Sequence, residues 1–408
     1  MMEKSKKLLI ISSYAPHGSG GSPNMLYNLI QHFPQDRTSL LTSHWNTAPA
    51  IRLPLPFRSW YYDEKDETKS SSDSHLAIWM KKRLPTPLTH FLGKFRGNIQ
   101  FFRQLRKLLR VGTEVLQAED IGHLLLCSDG GIALLGGHNL SSLFRKPYSL
   151  LMMDLYRQNT MLLQSLYATE REKRLFCDAS RVYVMGESLQ QYFQNHFKAN
   201  YCVLPNSVTI PPSSPSFEQS ALRSPFVVLY SGSIYWAQAD AFEALIRAVG
   251  SLPWARLEVF TPQNVKNLYD IDLCGPNVSW GFLPQKELLL RQSMADALYL
   301  PLSFKKAFRT VVETATASKL YEYMLSGRAI LVHAPDYAFV SRYARQEKFA
   351  LVVDDPSPSA LRQGLQELRD HPLLCEKLAR RAWEVVANRH NAKINMEELH
   401  RDFFPEED

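Results

Sequence analysis

Residues 318–332 read Ser-Lys-Leu-Tyr-Glu-Tyr-Met-Leu-Ser-Gly-Arg-Ala-Ile-Leu-Val. Leu320, Met324 and Leu325 share one side at helical spacing, Ser326-Gly327 stops a helix, and the apolar run after Arg328 has strand character. The stretch therefore predicts a helix, a turn and a buried strand. Lys319 and Glu322 lie three apart and project to the same side of that helix. A cation and a carboxylate in a first turn suit a ligand with both a diphosphate and a ribose. Lys319 and the backbone amides would meet the phosphates, and Glu322 would accept from the ribose hydroxyls. An i,i+3 salt bridge on a solvated face accounts for the same pair.

Outward from this stretch, apolar runs and helical periodicity alternate. Phe226–Ser233 reads as a strand entering a small-residue turn. It is followed by a helix over 240–250, a strand over 257–260, a helix over 285–294 and a strand over 297–301, and then by the helix 318–325 and the strand 329–333. Such alternation predicts an α/β domain with a parallel sheet. The first half repeats it. Lys7–Ser12 is a strand, a glycine-rich turn through Gly20 and Gly21 with His17 and Ser22 beside it follows, and a helix runs from about Pro23 to Phe33. That turn lacks the Gly-x-Gly-x-x-Gly spacing of a dinucleotide fingerprint. Its glycines serve either a close approach to an anion or a tight turn with φ above zero. His123–Ser128 and Tyr148–Met153 are further strands. Asp154 follows the second, at the end of a parallel strand where such sheets place ligands, and also where it would cap the next helix. A helix over 160–176, a strand near Arg181–Met185 and a helix after Gly186 complete this half.

Residues 211–225 have linker composition, which separates a first domain, 1–210, from a second, 211–380, with a C-terminal helix over 381–408. The tail from Ser359 to His400 is helical and charged, with Leu374, Leu378 and Trp383 on one side. Residues 45–75, rich in proline and polar residues, read as a long mobile insertion. From Leu76 to Thr113 the chain is basic without an acidic residue. Within it a helix over about 98–111 separates Ile99, Phe102, Leu105 and Leu109 from Arg103, Arg106, Lys107 and Arg110. Contact with an anionic membrane surface and an ordinary surface helix both fit that pattern.

With 408 residues, 45% hydrophobic and 21% charged, the chain has the composition of a soluble globular protein of two domains. The net charge of +7 permits an anionic partner without naming one. No apolar run approaches the ~20 residues that span a bilayer, and the N-terminus lacks a signal cleavage site. Five cysteines without ligand spacing point to a reducing cytoplasm and to small core residues: Cys127, Cys177, Cys202, Cys274 and Cys375. Asp270-Ile-Asp272 has the spacing of a metal-binding Asp-x-Asp, but it precedes a loop with no matching architecture around it.

The 318–332 stretch resembles the nucleotide-binding segment of GT-B-fold glycosyltransferases, in the large retaining group called family 4 and its Ser-Lys-Leu-Tyr-Glu-Tyr, Gly-[Lys/Arg]-x-Ile-Leu subset. Val278-Ser-Trp-Gly-Phe-Leu-Pro-Gln-Lys-Glu-Leu and Ala295–Pro301 resemble the same family, in the same order. Val203-Leu-Pro-Asn-Ser-Val resembles the turn that closes its first domain, where Asn206 is a residue that tolerates the left-handed conformation. The resemblance implies two Rossmann-like α/β domains facing each other across a cleft, with the tail crossing back to the first. It implies a metal-independent, hexosyltransferase-like enzyme without a resident cofactor. Such an enzyme moves a sugar, with retention, from a nucleotide-sugar donor to the hydroxyl of a glycan or lipid-linked acceptor in glycan or polysaccharide biosynthesis. The expected setting is cytoplasmic, at the inner face of a membrane where residues 76–113 touch it, with no nucleic acid involved.

By the same resemblance Lys319 and Asp154 are the catalytic candidates. Nucleotide-sugar contacts fall to Gly20 and Gly21 of the first domain, to Gly232, Ser233 and Gln238, to Gly281 and Phe282, to Arg309, and to Ser318, Lys319, Leu320 and Glu322. The chain departs from the family pattern where an arginine and a lysine usually hold the diphosphate, since Ser233 and Gln238 stand there. Where the family has a glutamate eight residues before the ribose-binding one, this chain has Thr314, next to Glu313. Lys305, Lys306 and Arg309 are the cations placed to compensate. The same fold also hosts sugar-nucleotide epimerases and, where phosphate-binding cations are lost, nucleotide-binding scaffold subunits.

Overall fold

A computed structural model describes residues 6–16, 21–44, 55–63, 86–128, 131–155, 170, 172–219, 224–263 and 275–404, with the backbone alone over 86–96. The chain forms two compact units, Met1–Leu204 with Met396–Asp408, and Pro205–Asn395.

The first unit contains β1 (Lys7–Ile11), α1 (Ser22–Ile30), β2 (Thr38–Thr42), β3 (Arg58–Tyr61), α2 (Thr86–Ala118), β4 (Ile121–Cys127), α3 (Ile132–Phe144), β5 (Tyr148–Met152), β6 (Val182–Val184), α4 (Glu187–Gln194) and β7 (Tyr201–Val203). Its strands form one sheet in the order β3-β2-β1-β4-β5-β6-β7, parallel throughout. Alternate residues of β1 feed opposite faces. Leu9 and Ile11 enter the core under α2 and α3, whereas Leu8 and Ile10 pack with Met25, Leu26 and Leu29 of α1. A sheet buried on both faces needs apolar residues at nearly every strand position, which is why Leu8 to Ile11 reads as a continuous run.

Residues 55–63 depart from the mobile insertion expected over 45–75. Arg58–Tyr61 pairs in register with β2 as the edge strand. Beneath it lies Glu119, which accepts from Ser39 Oγ at 2.5 Å, Trp60 Nε1 at 3.1 Å and Lys7 Nζ at 3.2 Å. Burial works to raise the Glu119 pKa, but these hydrogen bonds and the Lys7 charge outweigh it and hold the carboxyl below its ordinary value.

Helix α2 is longer than expected and packs differently. Its core side is Phe101, Leu108, Val111 and Val115, so Ile99 and Phe102 are left half-exposed beside Arg103, Arg106 and Arg110. Glycines choose this face. A Cβ on Gly136 of α3 would meet Leu108 Cδ2 at 2.4 Å, and one on Gly112 would meet Leu140 Cδ1 at 2.4 Å, so the two helices approach through missing side chains.

The second unit contains β8 (Phe226–Ser231), α5 (Ala239–Gly250), β9 (Ala255–Phe260), β10 (Val278–Gly281), α6 (Gln285–Met294), β11 (Ala297–Pro301), α7 (Arg309–Thr314), α8 (Lys319–Leu325), β12 (Ala329–His333), α9 (Phe339–Glu347), β13 (Leu351–Val353), α10 (Pro358–Asp370) and α11 (Pro372–Arg389). The strand order is β10-β9-β8-β11-β12-β13, again all parallel. Both sheets thus reverse their winding direction beside their first strand, the Rossmann-like doubly wound pattern, and the second does so between β8 and β11. Val228, Tyr230 and Leu331 face one core, and Leu229, Ile330 and Val332 the other.

The helix stop read at Ser326-Gly327 has a physical basis. Ser326 Oγ donates to the Tyr323 carbonyl at 2.7 Å, and Gly327 takes φ +75°, where a Cβ would meet the Ser216 carbonyl oxygen at 2.5 Å. Asn206 does not take the left-handed conformation expected of it; among the described residues the non-glycine positions with positive φ are Arg145, Asn277 and Lys348. Asn206 is instead buried, and its carbonyl oxygen lies 2.8 Å from His390 Nδ1. After α11, helix α12 (Ala392–Phe403) leads into the segment that belongs to the first unit, where Leu399, Phe403 and Phe404 join the core around Phe33. Arg181 Nη1 bonds both carboxylate oxygens of Asp402 at 2.6 Å, with Tyr183 donating to one of them.

Cys127, Cys202 and Cys375 are buried as expected of small core residues, while Cys177 is exposed. Cys274 and the Asp270–Asp272 pair lie outside the described residues. No helix of the described residues is long and apolar enough to cross a membrane, and no cluster among them has the side chains to hold a metal ion.

Candidate functional site

At the carboxyl end of β8 the chain turns sharply through Gly232, whose φ of +110° lies in the region that L side chains avoid. The Gly232 amide donates to the Phe260 carbonyl at 2.8 Å, which fixes the turn against β9. Lys319, the first residue of α8, reaches over this turn. Its Cε and Nζ lie 3.6 Å from where a Gly232 Cβ would stand, so the ammonium group packs directly on the glycine backbone. Lys319 Nζ donates to the Tyr230 hydroxyl and, at 3.4 Å, to the Ser233 carbonyl, and it sits 4.0 Å from the centre of the Tyr230 ring. The described residues place no carboxylate in an ion pair with it. Burial therefore dominates and lowers the Lys319 pKa to about 7, against a smaller opposing pull from Glu322.

Glu322 lies one turn along α8. Burial raises its pKa, and a hydrogen bond from the Gln285 side chain and the charge of Lys319 hold part of that rise back. Both groups keep some surface open to solvent, so they line a recess rather than a closed cavity. The salt bridge allowed by their spacing is not formed, because Lys319 is drawn across to β8.

The floor of the recess is rigid. Tyr323 Oη accepts from the Ser231 amide at 2.9 Å, and Gln292 Nε2 donates to Ser231 Oγ at 2.9 Å. Tyr230 donates to the Ser233 carbonyl at 2.7 Å. Preorganised dipoles of this kind hold a site's geometry without a ligand.

The structure brings Lys319, Gly232, Ser233 and Glu322 together. Ser318 opens α8 without a side-chain cap, in helical conformation. Two expectations for this helix start need correction. The Leu320 and Tyr321 amides are already bonded, to the carbonyls of Ala317 at 3.0 Å and Ser318 at 3.3 Å, because the first turn is tight. The Leu320 side chain is fully buried in the core. Gln238 is also not presented to a ligand. It is 1% exposed, with Nε2 donating to the Pro301 carbonyl at 3.2 Å and Oε1 facing the Tyr230 hydroxyl.

Gly281 ends the edge strand β10 in open space, and Phe282 beside it is 66% exposed. The connection from there reaches the recess through Gln285. Arg309 is exposed, its guanidinium 4.3 Å over the Tyr337 ring and 4.0 Å from Glu313. Thr314 is buried and bonds back to the Thr310 carbonyl at 3.0 Å. Lys305 and Lys306 are exposed in the same loop.

In the first unit Gly21 precedes α1 at φ −71°, so it needs no left-handed backbone there. Gly20 and His17 lie outside the described residues. Asp154 follows β5 with its amide donating to Ser128 Oγ at 3.3 Å; desolvation raises its pKa above the ordinary aspartate value even though its side chain retains an open surface.

Tyr230 and Gln285 were not singled out from sequence. Tyr230 reads as one more strand residue, and its contact with Lys319 spans 89 positions. Gln285 carries a weak signal, standing at a helix start inside the Val278–Leu288 run.

No protein-family model matches the chain, and no curated protein matches it by sequence. Solved structures do. Sucrose-phosphate synthase from Thermosynechococcus elongatus is similar with a TM-score of 0.67 at 14% identity, over 98% of this chain and 99% of that one. Anabaena HepE in complex with UDP and glucose gives a TM-score of 0.64 at 13% identity, over 98% and 100%. MnaA of S. aureus with UDP gives 0.55 at 10% identity, over 98% and 96%. Likeness at this level of identity carries the fold, and the two parallel-sheet α/β units of this chain have the GT-B fold of glycosyltransferases.

Proposed function

We propose that the chain is a glycosyltransferase whose second unit holds a nucleotide-sugar donor in the Lys319–Glu322 recess. The observation that carries this reading is the position of Lys319. A lysine in no ion pair with a carboxylate of the described residues lies on a glycine turn at the carboxyl end of β8, beside the point where the sheet reverses its winding direction. An enclosed cation held near neutrality binds an anion strongly, because the anion supplies the counter-charge that the fold withholds. A donor diphosphate fits that need, and Glu322 one turn away is placed to accept from a ribose.

In this reading Lys319 takes up charge as the sugar–phosphate bond breaks, with Lys305, Lys306 and Arg309 in place of the cations absent at Ser233 and Gln238. Asp154, at the end of β5, is the first unit's polar group for the sugar or the acceptor. Retention of configuration and activity without a metal or resident cofactor follow from the resemblance of the 318–332 stretch. The half-exposed Ile99 and Phe102 among Arg103, Arg106 and Arg110 support a peripheral contact with an anionic membrane at the cytoplasmic face, where a lipid-linked acceptor is available. A nucleotide-binding subunit without turnover is the second reading, favoured by the burial of Gln238 and the neutral Ser233.

Thermal stability against UDP, GDP, ADP, CMP and dTDP, with and without EDTA, tests the donor site. A nucleotide at 100 times its dissociation constant adds about 2.7 kcal/mol. A selective shift, insensitive to EDTA and lost in Glu322→Ala, is expected; no shift with any nucleotide would remove the assignment. Turnover of the matching nucleotide-sugar separates the enzyme from the non-catalytic subunit.

A further inference from the structure

The turn that receives Lys319 continues into an exposed indole. Trp236 lies three residues beyond Ser233 and is 39% exposed. Its backbone is fixed on both sides. Gln263 brackets Ile234, accepting from its amide at 2.7 Å and donating to its carbonyl at 2.9 Å, and the Ser303 amide donates to the Ala237 carbonyl at 2.8 Å. Gln238 locks the next position from inside the core. The ring itself rests on Phe308, with centroids 4.6 Å apart at 60°, and meets Tyr235 edge-on at 6.0 Å. Phe308 belongs to the loop that carries Lys305, Lys306 and Arg309.

An exposed tryptophan on a mobile loop needs no explanation. One whose turn is held by three hydrogen bonds to the backbone of Ile234 and Ala237, and whose ring rests on a second ring, is different, because its contact surface is available with little loss of conformational freedom. The face of an indole carries negative charge density and attracts electropositive C–H groups. A pyranose ring presents such C–H groups on one face and hydroxyls at its rim, where the neighbouring lysines and Arg309 can serve them.

We infer that Trp236, braced by Phe308, is a stacking platform for a pyranose ring and sets sugar affinity at the proposed donor site. The inference rests on the donor-site reading. The pyranose comes either from the donor or from the acceptor, and the two sources are separable.

The test is calorimetric binding to the full chain with Trp236→Ala, Trp236→Phe and Phe308→Leu. The probes are the nucleoside diphosphate selected from the UDP, GDP, ADP, CMP and dTDP panel, its glucose conjugate, and a maltooligosaccharide added at saturating nucleotide. A platform for the donor sugar predicts that Trp236→Ala weakens the glucose conjugate on the order of tenfold more than the free nucleotide, with recovery in Trp236→Phe and a smaller loss in Phe308→Leu. A platform for the acceptor predicts unchanged binding of both nucleotides and loss of the oligosaccharide. Equal weakening of nucleotide and conjugate would assign Trp236 to the base and overturn the inference while leaving the donor site intact, as would unchanged binding of all three probes. Absence of nucleotide binding in the wild-type chain would overturn the donor site and the inference together.

Discussion

Two ionisable side chains, Glu119 in the first unit and Lys319 in the second, are treated in opposite ways. In the first, Glu119 is met by a lysine, a serine hydroxyl and an indole N–H, and its pKa falls. In the second, Lys319 is met by a phenol and a carbonyl, and its pKa falls to about 7, towards the neutral amine. For the acid a lowered pKa means a satisfied charge; for the base it means an unsatisfied one. The enclosed charge with partners ties an edge strand to its sheet. The enclosed charge with no counter-charge paired to it among the described residues is the one placed to wait for a ligand.

Removing the waiting charge has the largest expected effect. Lys319→Met should weaken binding of the selected nucleotide by about 3 kcal/mol, roughly a hundredfold, as expected for losing a charge-assisted hydrogen bond at an enclosed site. The same substitution should leave the ligand-free Tm unchanged or raised, because the folded chain no longer holds a desolvated lysine. A calorimetric titration and a melt on the same variant check both halves; a fall in Tm would mean that Lys319 is a structural residue like Glu119.

The support of α8 comes next. Gly327→Ala would place a Cβ 2.5 Å from the Ser216 carbonyl at a φ of +75°, and should destabilise the second unit by about 2 kcal/mol, read by urea unfolding. A loss below about 0.5 kcal/mol would show that the turn relaxes freely and does not fix the helix carrying Lys319.

On the other side of the comparison, Glu119→Gln should destabilise by about 1 kcal/mol at neutral pH and leave nucleotide binding alone. Because the folded-state pKa of Glu119 is depressed, its contribution is present above the unfolded carboxyl pKa and is lost as pH falls through the lower folded value. The wild type should therefore lose its advantage over Glu119→Gln on acidification, in melts taken from pH 7 downward. An advantage that persists at the acid end would assign the effect to packing rather than charge.

The smallest effect belongs to charges that are not enclosed at all. Arg106→Ser should change stability within about 0.5 kcal/mol, and should weaken binding to anionic vesicles by somewhat under 1 kcal/mol in a salt-dependent way. No binding of the wild-type chain to such vesicles would remove the membrane contact.

Much of the fold was legible because strands buried on both faces announce themselves as apolar runs, as Leu8–Ile11 and Ala329–Val332 do. Edge strand β3 was not, since Arg-Ser-Trp-Tyr puts a polar and an aromatic residue on each side and lies among prolines and charged residues. The face of α2 was misread because Ile99–Phe102–Leu105–Leu109 and Phe101–Leu108–Val111–Val115 both satisfy a helical period. What decides between them is where Gly112 and Gly136 let two helices close, a contact between distant segments that no local pattern records. The same holds for the recess. Lys319 and Glu322 are neighbours in sequence and were readable as a pair, but the pair was drawn apart by Tyr230, 89 positions away. The Gly232 turn was readable as small residues after a strand. That it packs under the Lys319 ammonium was not.

The most direct test of the waiting charge is proton linkage. Free Lys319 has a pKa of about 7 in the folded chain, against about 10.4 for an ordinary lysine, so at pH 8 the empty site holds mostly neutral amine. A diphosphate in contact with it restores the charge, so nucleotide binding must take up a proton at pH 8, and affinity must fall as pH rises above 7. Titration calorimetry at pH 8 in two buffers of different ionisation enthalpy measures this. A charge restored on Lys319 gives buffer-dependent heats that correspond to proton uptake in the wild type and vanish in Lys319→Met. Nucleotide binding with the same heat in both buffers would contradict it.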